Sequence, residues 1–253
     1  MKQYLLPILT GFITLFIWQL AVTIFHIEQW ILPAPTQIIS SFWQSRSLIF
    51  YHLIPTVVEA IVGLIGAVFI AIFIAMLMER FKTMRKIIYP FLILSQTIPF
   101  IILAPLLTLW FGFGLFPKII IISLVCFFPI TINLIDGFQG VDPAILRLLT
   151  SMGASQKQIF KWVKWPASLP NFFSGLKIAA TYSILGAVVS EWMGTDRGLG
   201  ILLVRSTKSY LTDRVFATIG IITILSMIVV LLVEIIARIS IPWHYYKLKI
   251  KKI

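Results

Sequence analysis

Charge is what this chain has least of. Only 12% of its 253 residues are Asp, Glu, Lys or Arg, against about 25% in an ordinary soluble domain. So little charge cannot give a soluble globule its polar cover, and one apolar bundle fits the length better than two soluble domains. Cysteine is almost missing as well. Cys126 stands alone inside an apolar run, which excludes an intrachain disulfide and reads as a small hydrophobe. The three histidines, His26, His52 and His244, are too far apart for metal-ligand spacing. No His-Glu-x-x-His pattern occurs, and Cys126 has no histidine beside it in sequence, so an intramembrane enzyme has little to work with. A Gly-x-x-x-x-Gly-Lys-Ser/Thr loop is also absent, so the chain is not expected to bind ATP itself, and no cofactor or metal is implied. Tandem repeats of soluble type and low-complexity linkers are missing too.

What the chain does have is apolar length. Hydrophobic residues make up 59% and the mean hydropathy is +1.00. A membrane-crossing helix needs roughly 20 mainly apolar residues, and six stretches qualify: 5–25, 54–78, 87–110, 119–135, 172–192 and 215–236. The first could pass for a signal peptide, but it is too long and no small-x-small site follows it. The expected fold is therefore an all-α membrane protein with six transmembrane helices, one transmembrane domain over 1–253.

The formal charge is +12, from 21 basic and nine acidic residues. The bases sit in short clusters between apolar runs, which suits orientation in a membrane better than nucleic-acid binding. With the N-terminus inside, fifteen bases fall on inner segments and six on outer ones. The inner set is Lys2, Arg80, Lys82, Arg85, Lys86, Arg147, Lys157, Lys161, Lys164, Lys177 and the tail from Arg238 to Lys252. The outer set is Arg46, Lys118, Arg197, Arg205, Lys208 and Arg214. This bias predicts both termini in the cytoplasm.

Several segments stand out within that frame. The third span carries Pro90, Pro99 and Pro105 together with Gln96 and Thr97. Prolines free carbonyls that neighbours must satisfy, so this helix is expected to kink, either lining a polar path or as plain scaffold. In the outer segment "ILPAPTQIISSFWQ", Pro33 and Pro35 predict an extended entry. Thr36 is placed to cap a short interfacial helix anchored by Trp43. In "GTDRGLG", Gly194, Gly198 and Gly200 allow tight backbone, as a gate or merely a turn.

The stretch "DPAILRLLTSMGASQKQIFKWVKWP" (142–166) reads as a built object. Asp142 can cap a helix that opens on Pro143, with Ile145, Leu148, Leu149 and Met152 at helical spacing. Gly153 follows where a helix end wants a left-handed residue. Ser155 and Gln158 form a capping-box pattern for a second helix, and Pro166 is expected to end it. Lys157, Lys161 and Lys164 share one face of that helix and Ile159, Phe160 and Val163 another. The charge bias places this hairpin in the cytoplasm. It either lies on anionic lipid or docks on a cytoplasmic partner.

These residues resemble the cytoplasmic signature of binding-protein-dependent ABC importer permeases: Glu-Ala-Ala, three residues, Gly, nine residues, Ile, one residue, Leu-Pro. Gly153 occupies the glycine, Val163 the isoleucine and Trp165-Pro166 the Leu-Pro. Arg147-Leu148-Leu149 stands where the family has Glu-Ala-Ala, so the family's acidic residue does not carry over. Further segments continue the likeness: "LPAP" (32–35), "QTIPFIILAPLLTLWFGFG" (96–114), "CFFPITIN" (126–133), "GLKIAATYSILGAVVSEWMG" (175–194) and "GLG" (198–200). They resemble the branch that imports sulfonates, taurine, nitrate and pyrimidine precursors of thiamine. Glu191-Trp192 and "TDRVFA" (212–217) look most like permeases for the hydroxymethylpyrimidine precursor.

The resemblance implies a core region of about 53–240 in a bacterial cytoplasmic membrane, pairing as a homodimer. It also implies two cytoplasmic ABC ATPase subunits below and an extracytoplasmic solute-binding protein above. Under it, Arg147, Gly153, Ala154, Ser155, Lys157, Lys161, Val163 and Pro166 are the ATPase-coupling residues. Ionisable residues at membrane depth are functional candidates, so Glu59, Gln96, Thr97, Pro99, Tyr182, Ser183 and Glu191 are candidates for the translocation path. Glu59 and Glu191 could instead be interfacial carboxylates or pair with Arg197 or Arg205. Tyr182, Ser183 and Ser190 could equally bond neighbouring helices. Glu234 and Arg238 are set for a local pair, and Asp136 is expected to be solvated. An ion-coupled secondary transporter remains the alternative class, although its expected mid-membrane carboxylates are mostly found here toward span ends.

Overall fold

A computed structural model describes residues 2–192 and 195–250, with side chains for 6–192 and 195–246. Gly194 and the tail residues Lys251 and Lys252 lie outside the described residues, as do the side chains of Lys2, Lys247 and Lys249. Among the described residues the chain is helical with no strand. In order these helices are α1 (Lys2–Ile24), α2 (Pro35–Arg80), α3 (Lys82–Thr97), α4 (Phe100–Phe111), α5 (Leu115–Gln139), α6 (Pro143–Ser151), α7 (Gln156–Ile159), α8 (Trp165–Ser190), α9 (Leu199–Lys208), α10 (Thr212–Ser240) and α11 (Pro242–Ile250). Among the described residues five helices are long and apolar enough to cross a membrane, and the bent pair α3–α4 passes the same test when its two halves are taken together.

Packing centres on α5 and α8, with α2 and α10 against them. Small residues allow the close approach. Ala60, Ala67, Ala71 and Ala75 form a buried stripe on α2, and Gly63 receives the Ile122 side chain of α5. On α8, Gly175 lies against the Pro129 carbonyl of α5. In lipid, helices associate through such van der Waals contact because burial alone gives little. The α1 helix stands apart, held by Trp18 against Phe216 and by Gln19, whose side-chain oxygen accepts from Thr36 N at 3.2 Å.

Three elements differ from the sequence reading. Thr36 caps no separate interfacial helix. The helix starts at Pro35, with Gln37 accepting from Ala34 N at 2.8 Å, and runs unbroken through the second span. Ser41, Ser45, His52 and Thr56 on it are buried. Protein rather than headgroups meets that face: Arg214 Nε donates to Ser45 Oγ at 3.1 Å, and Ile49 packs with Leu199, Leu202 and Ala217.

The second difference is in the third span, which does not merely kink. It breaks at Ile98–Pro99 with a bend of 98°, while Pro90 and Pro105 stay inside helices. Third, Pro166 does not end the hairpin's second helix. A five-residue π segment, Phe160–Lys164, joins α7 to α8, and Pro166 sits in the first turn of α8. Trp165 N bonds Phe160 O five residues back. This wider turn relieves the clash that a proline ring makes with the carbonyl four residues earlier.

Candidate functional site

The hairpin between α5 and α8 is built from local signals. Asp142 Oδ1 accepts from Ala144 N at 2.8 Å, opening α6. At its other end Gly153 has φ +85°. Gly153 N donates to Thr150 O and Ala154 N to Leu149 O, each at 3.0 Å. Those paired bonds are the Schellman arrangement, which satisfies the last carbonyls of a helix through a left-handed residue. Ser155 N then donates to Gln158 Oε1 at 2.8 Å, and Gln158 N to Ser155 Oγ at 3.3 Å. The elbow and the capping box occur as their spacing predicts.

The hairpin's second arm is anchored and its first arm is not. Ile159 is buried, and Phe160 and Trp165 cluster with Phe138 at the end of α5. By contrast no residue of α6 is buried. Ile145, Leu148, Met152 and Trp162 are exposed, Met152 to 74% and Trp162 to 71%. Between the arms lies a concavity of about 360 Å³ lined by Leu149, Met152, Ala154, Gln158, Trp162 and Val163. Arg147, Ser155, Lys157 and Lys161 are exposed around it, and Lys161 Nζ sits 5.2 Å from the Trp162 ring centre. Lys164 is not part of this free basic face. It pairs with Glu79 of α2 at 2.5 Å, tying the hairpin to the bundle.

Of the path candidates, only Glu59 and Glu191 come together. Gln96 and Thr97, at the end of α3, and Pro99, at the break, are exposed, and Thr97 Oγ1 donates to Leu94 O within its own helix. Tyr182 is exposed on α8. Ser183 is buried, with its hydroxyl given to Ala180 O at 2.9 Å. Ser190 is likewise satisfied inside its helix, by Ala187 O. Asp136 is exposed. Glu234 does bond Arg238, at 2.8 Å, and is also paired with Lys177 of α8.

Glu59 and Glu191 are buried in one polar cluster and do not pair with Arg197 or Arg205. Arg197 lies over the Tyr51 ring at 4.5 Å, and Arg205 reaches exposed Asp196 at 4.0 Å. Glu59 meets Lys118 of α5 at 2.5 Å. Glu191 Oε1 accepts from Thr56 at 2.6 Å and its Oε2 from Gly200 N at 2.6 Å. Gly198 N donates to His52 Nδ1 at 3.0 Å, and Leu199 N to Thr56 Oγ1 at 2.9 Å. Side chains from α2 and α8 thus cap the first N–H groups of α9. The residues His52, Thr56 and Lys118 were not singled out by the sequence reading. The signal for Lys118 was available: a lysine in the first turn of one apolar helix and a glutamate inside another are opposite charges that need each other. Glu59 lies twenty residues along α2 from Glu79, about 30 Å of helix. That distance is roughly the thickness of a hydrocarbon core, so the cluster and the hairpin mark opposite ends of the bundle.

A second groove, of about 510 Å³, runs between α8 and α10, lined by Thr181, Thr223, Ser226, Met227, Leu231 and Glu234.

The family model described as "Binding-protein-dependent transport system inner membrane component" matches residues 63–243. The chain is 34% identical to the formylaminopyrimidine transport permease protein ThiX of Halalkalibacterium halodurans, over 96% of this chain and 97% of that one. It is 28% identical to the taurine transport system permease protein TauC of Escherichia coli, over 96% and 91%. A solved amino acid ABC transporter shares the fold, with TM-score 0.63 and 16% identity, covering 80% of this chain and 96% of that chain.

Proposed function

The chain belongs to the family of binding-protein-dependent transport system inner membrane components, and on that footing we propose what it carries and how it is driven. It is the multi-pass permease subunit of an ABC importer for small solutes, and ATP hydrolysis lies in separate subunits. Its solute is a pyrimidine precursor of thiamine. The 34% identity to a formylaminopyrimidine permease over nearly the full length favours this over a sulfonate or taurine. The permease works as a homodimer, with both termini and the hairpin in the cytoplasm and a solute-binding protein at the opposite face. A second copy gives the exposed apolar face of α3 a protein neighbour. Family membership takes the place of the ion-coupled alternative.

The hairpin is the element on which the ATPase acts. The observation that carries this is the pairing of a rigid, doubly capped elbow with an uncovered apolar face, Ile145, Leu148, Met152 and Trp162. A flat lipid anchor has no need of a fixed elbow, whereas a knob seated in a protein groove does. Arg147, Lys157 and Lys161 rim that face. A photo-crosslinker placed at Trp162 in membranes containing the whole transporter distinguishes the two. Crosslinking to the ATPase subunit is expected, and labelling of lipid alone would sink the assignment.

A further inference from the structure

Where α2, α5 and the end of α8 converge, two carboxyl groups and one ammonium are buried. Glu59 is 3% exposed, Glu191 0% and Lys118 8%, and they are the buried carboxyls among the described residues. Lys118 Nζ bonds Glu59 Oε1, while Glu59 Oε2 has no hydrogen-bond partner among the described residues. Glu191 reaches the same face of α2 one turn away, accepting from Thr56 at 2.6 Å. We propose that Glu59 and Glu191 hold one proton between them, forming a proton-binding site that locks α9 onto the bundle.

Charge balance is the first argument. With both carboxyls ionised, the cluster carries one uncompensated negative charge away from water, which is strongly unfavourable, and two carboxylates at one site repel. One proton makes it neutral. No other base supplies the missing charge by contact. His52 accepts the Gly198 N–H at Nδ1, so its ring is neutral there. Arg197 is stacked on Tyr51 and Arg205 faces Asp196.

Hydrogen-bond valence is the second argument. Two ionised carboxylates only accept, which leaves Glu59 Oε2 without a donor; a proton on the pair supplies one. The Thr56 hydroxyl has a single hydrogen and two acceptors, His52 O at 3.2 Å and Glu191 Oε1 at 2.6 Å. The shorter contact, to Glu191, takes that hydrogen, so the shared proton is left to the Glu59 side of the pair.

The consequence reaches α9. Its first N–H groups are held by His52, Thr56 and Glu191. A Cβ on Gly198 would collide with the Glu191 carboxyl, and one on Gly200 with the Val188 carbonyl. The segment is therefore pressed onto Glu191. Rising pH removes the shared proton, drives Glu191 from Glu59 and loosens the start of α9. The site is independent of which solute is carried.

The test uses the full chain in lipid nanodiscs. Infrared difference spectra between neutral and alkaline pH should contain the carbonyl stretch of a protonated carboxylic acid. Glu191→Gln and Glu59→Gln should each abolish it, because the remaining carboxyl then ionises against Lys118. The background is low, since Glu79 and Glu234 face lysines and the other carboxyls lie at the surface or at helix starts. Hydrogen exchange at Gly198, Leu199 and Gly200 should rise with pH beyond its intrinsic base dependence in the native chain, and not in Glu191→Gln, which copies the protonated form. A native spectrum without the band, a band that survives either substitution, or equal exchange profiles in both proteins would overturn the proposal.

Discussion

At Gly153 the backbone is left-handed and the space around the missing Cβ is empty, so conformation alone demands the glycine. Gly153→Val forces a β-branched residue into that region at about 1–3 kcal/mol. The expected outcome is normal membrane insertion with loss of solute uptake. Gly153→Asn, which tolerates this conformation better, should retain most uptake, and transport assays at matched expression check both. Gly63 is the opposite case, ordinary in backbone but filled by Ile122. Gly63→Val overpacks the α2–α5 contact and should cost about 1–3 kcal/mol, read as a lowered melting temperature in detergent. The elbow was legible in the sequence because a cap and its partner lie within five residues. The role of Lys164 was not, since Glu79 is 85 positions away and only helix packing brings it near.

Among the elements, the hairpin is where the corrected geometry changes an experiment. Three lysines at helical spacing suggested one basic face, yet Lys164 is engaged with α2 while Lys157 and Lys161 are exposed. Neutralising Lys157 and Lys161 together should weaken ATPase binding and leave the hairpin in place. Lys164→Gln should instead free the hairpin from α2, speeding hydrogen exchange across 156–164 in the isolated permease. Co-purification and exchange measurements separate the two. If Trp162 seats in a protein groove, Trp162→Ala removes an aromatic anchor of the kind that contributes 2 kcal/mol or more. Binding of the ATPase should then fall roughly tenfold or more, measured by titration in nanodiscs. Pro166 and Pro99 illustrate what residue type alone leaves open. A π segment absorbs the first, whereas the second breaks its span by 98°. Both prolines sit in apolar helical sequence, and the difference arises from what the surrounding turns can accommodate.

For the whole molecule, the proposed import cycle requires an ATPase. Uptake in cells lacking every ABC ATPase that pairs with this chain should vanish, and persistence of uptake would contradict the mechanism. Mass spectrometry of the ligand retained by the partner binding protein should identify a pyrimidine; a sulfonate there would replace the proposed solute. Much of the molecule was determined by the sequence alone. Scarcity of charge and runs of twenty apolar residues require a helical bundle in a membrane, because an apolar run of that length satisfies its own backbone in lipid as a helix. Capping and elbow residues specify the hairpin, because those bonds close within a few positions. The tertiary structure alone decided which charges meet. Glu59 with Lys118, Glu191 with the start of α9, and Lys164 with Glu79 are pairings between helices whose rotation and depth are set by how Gly63 and the alanine stripe of α2 admit their neighbours. Such contacts depend on the packing of the whole bundle, and no local spacing encodes them.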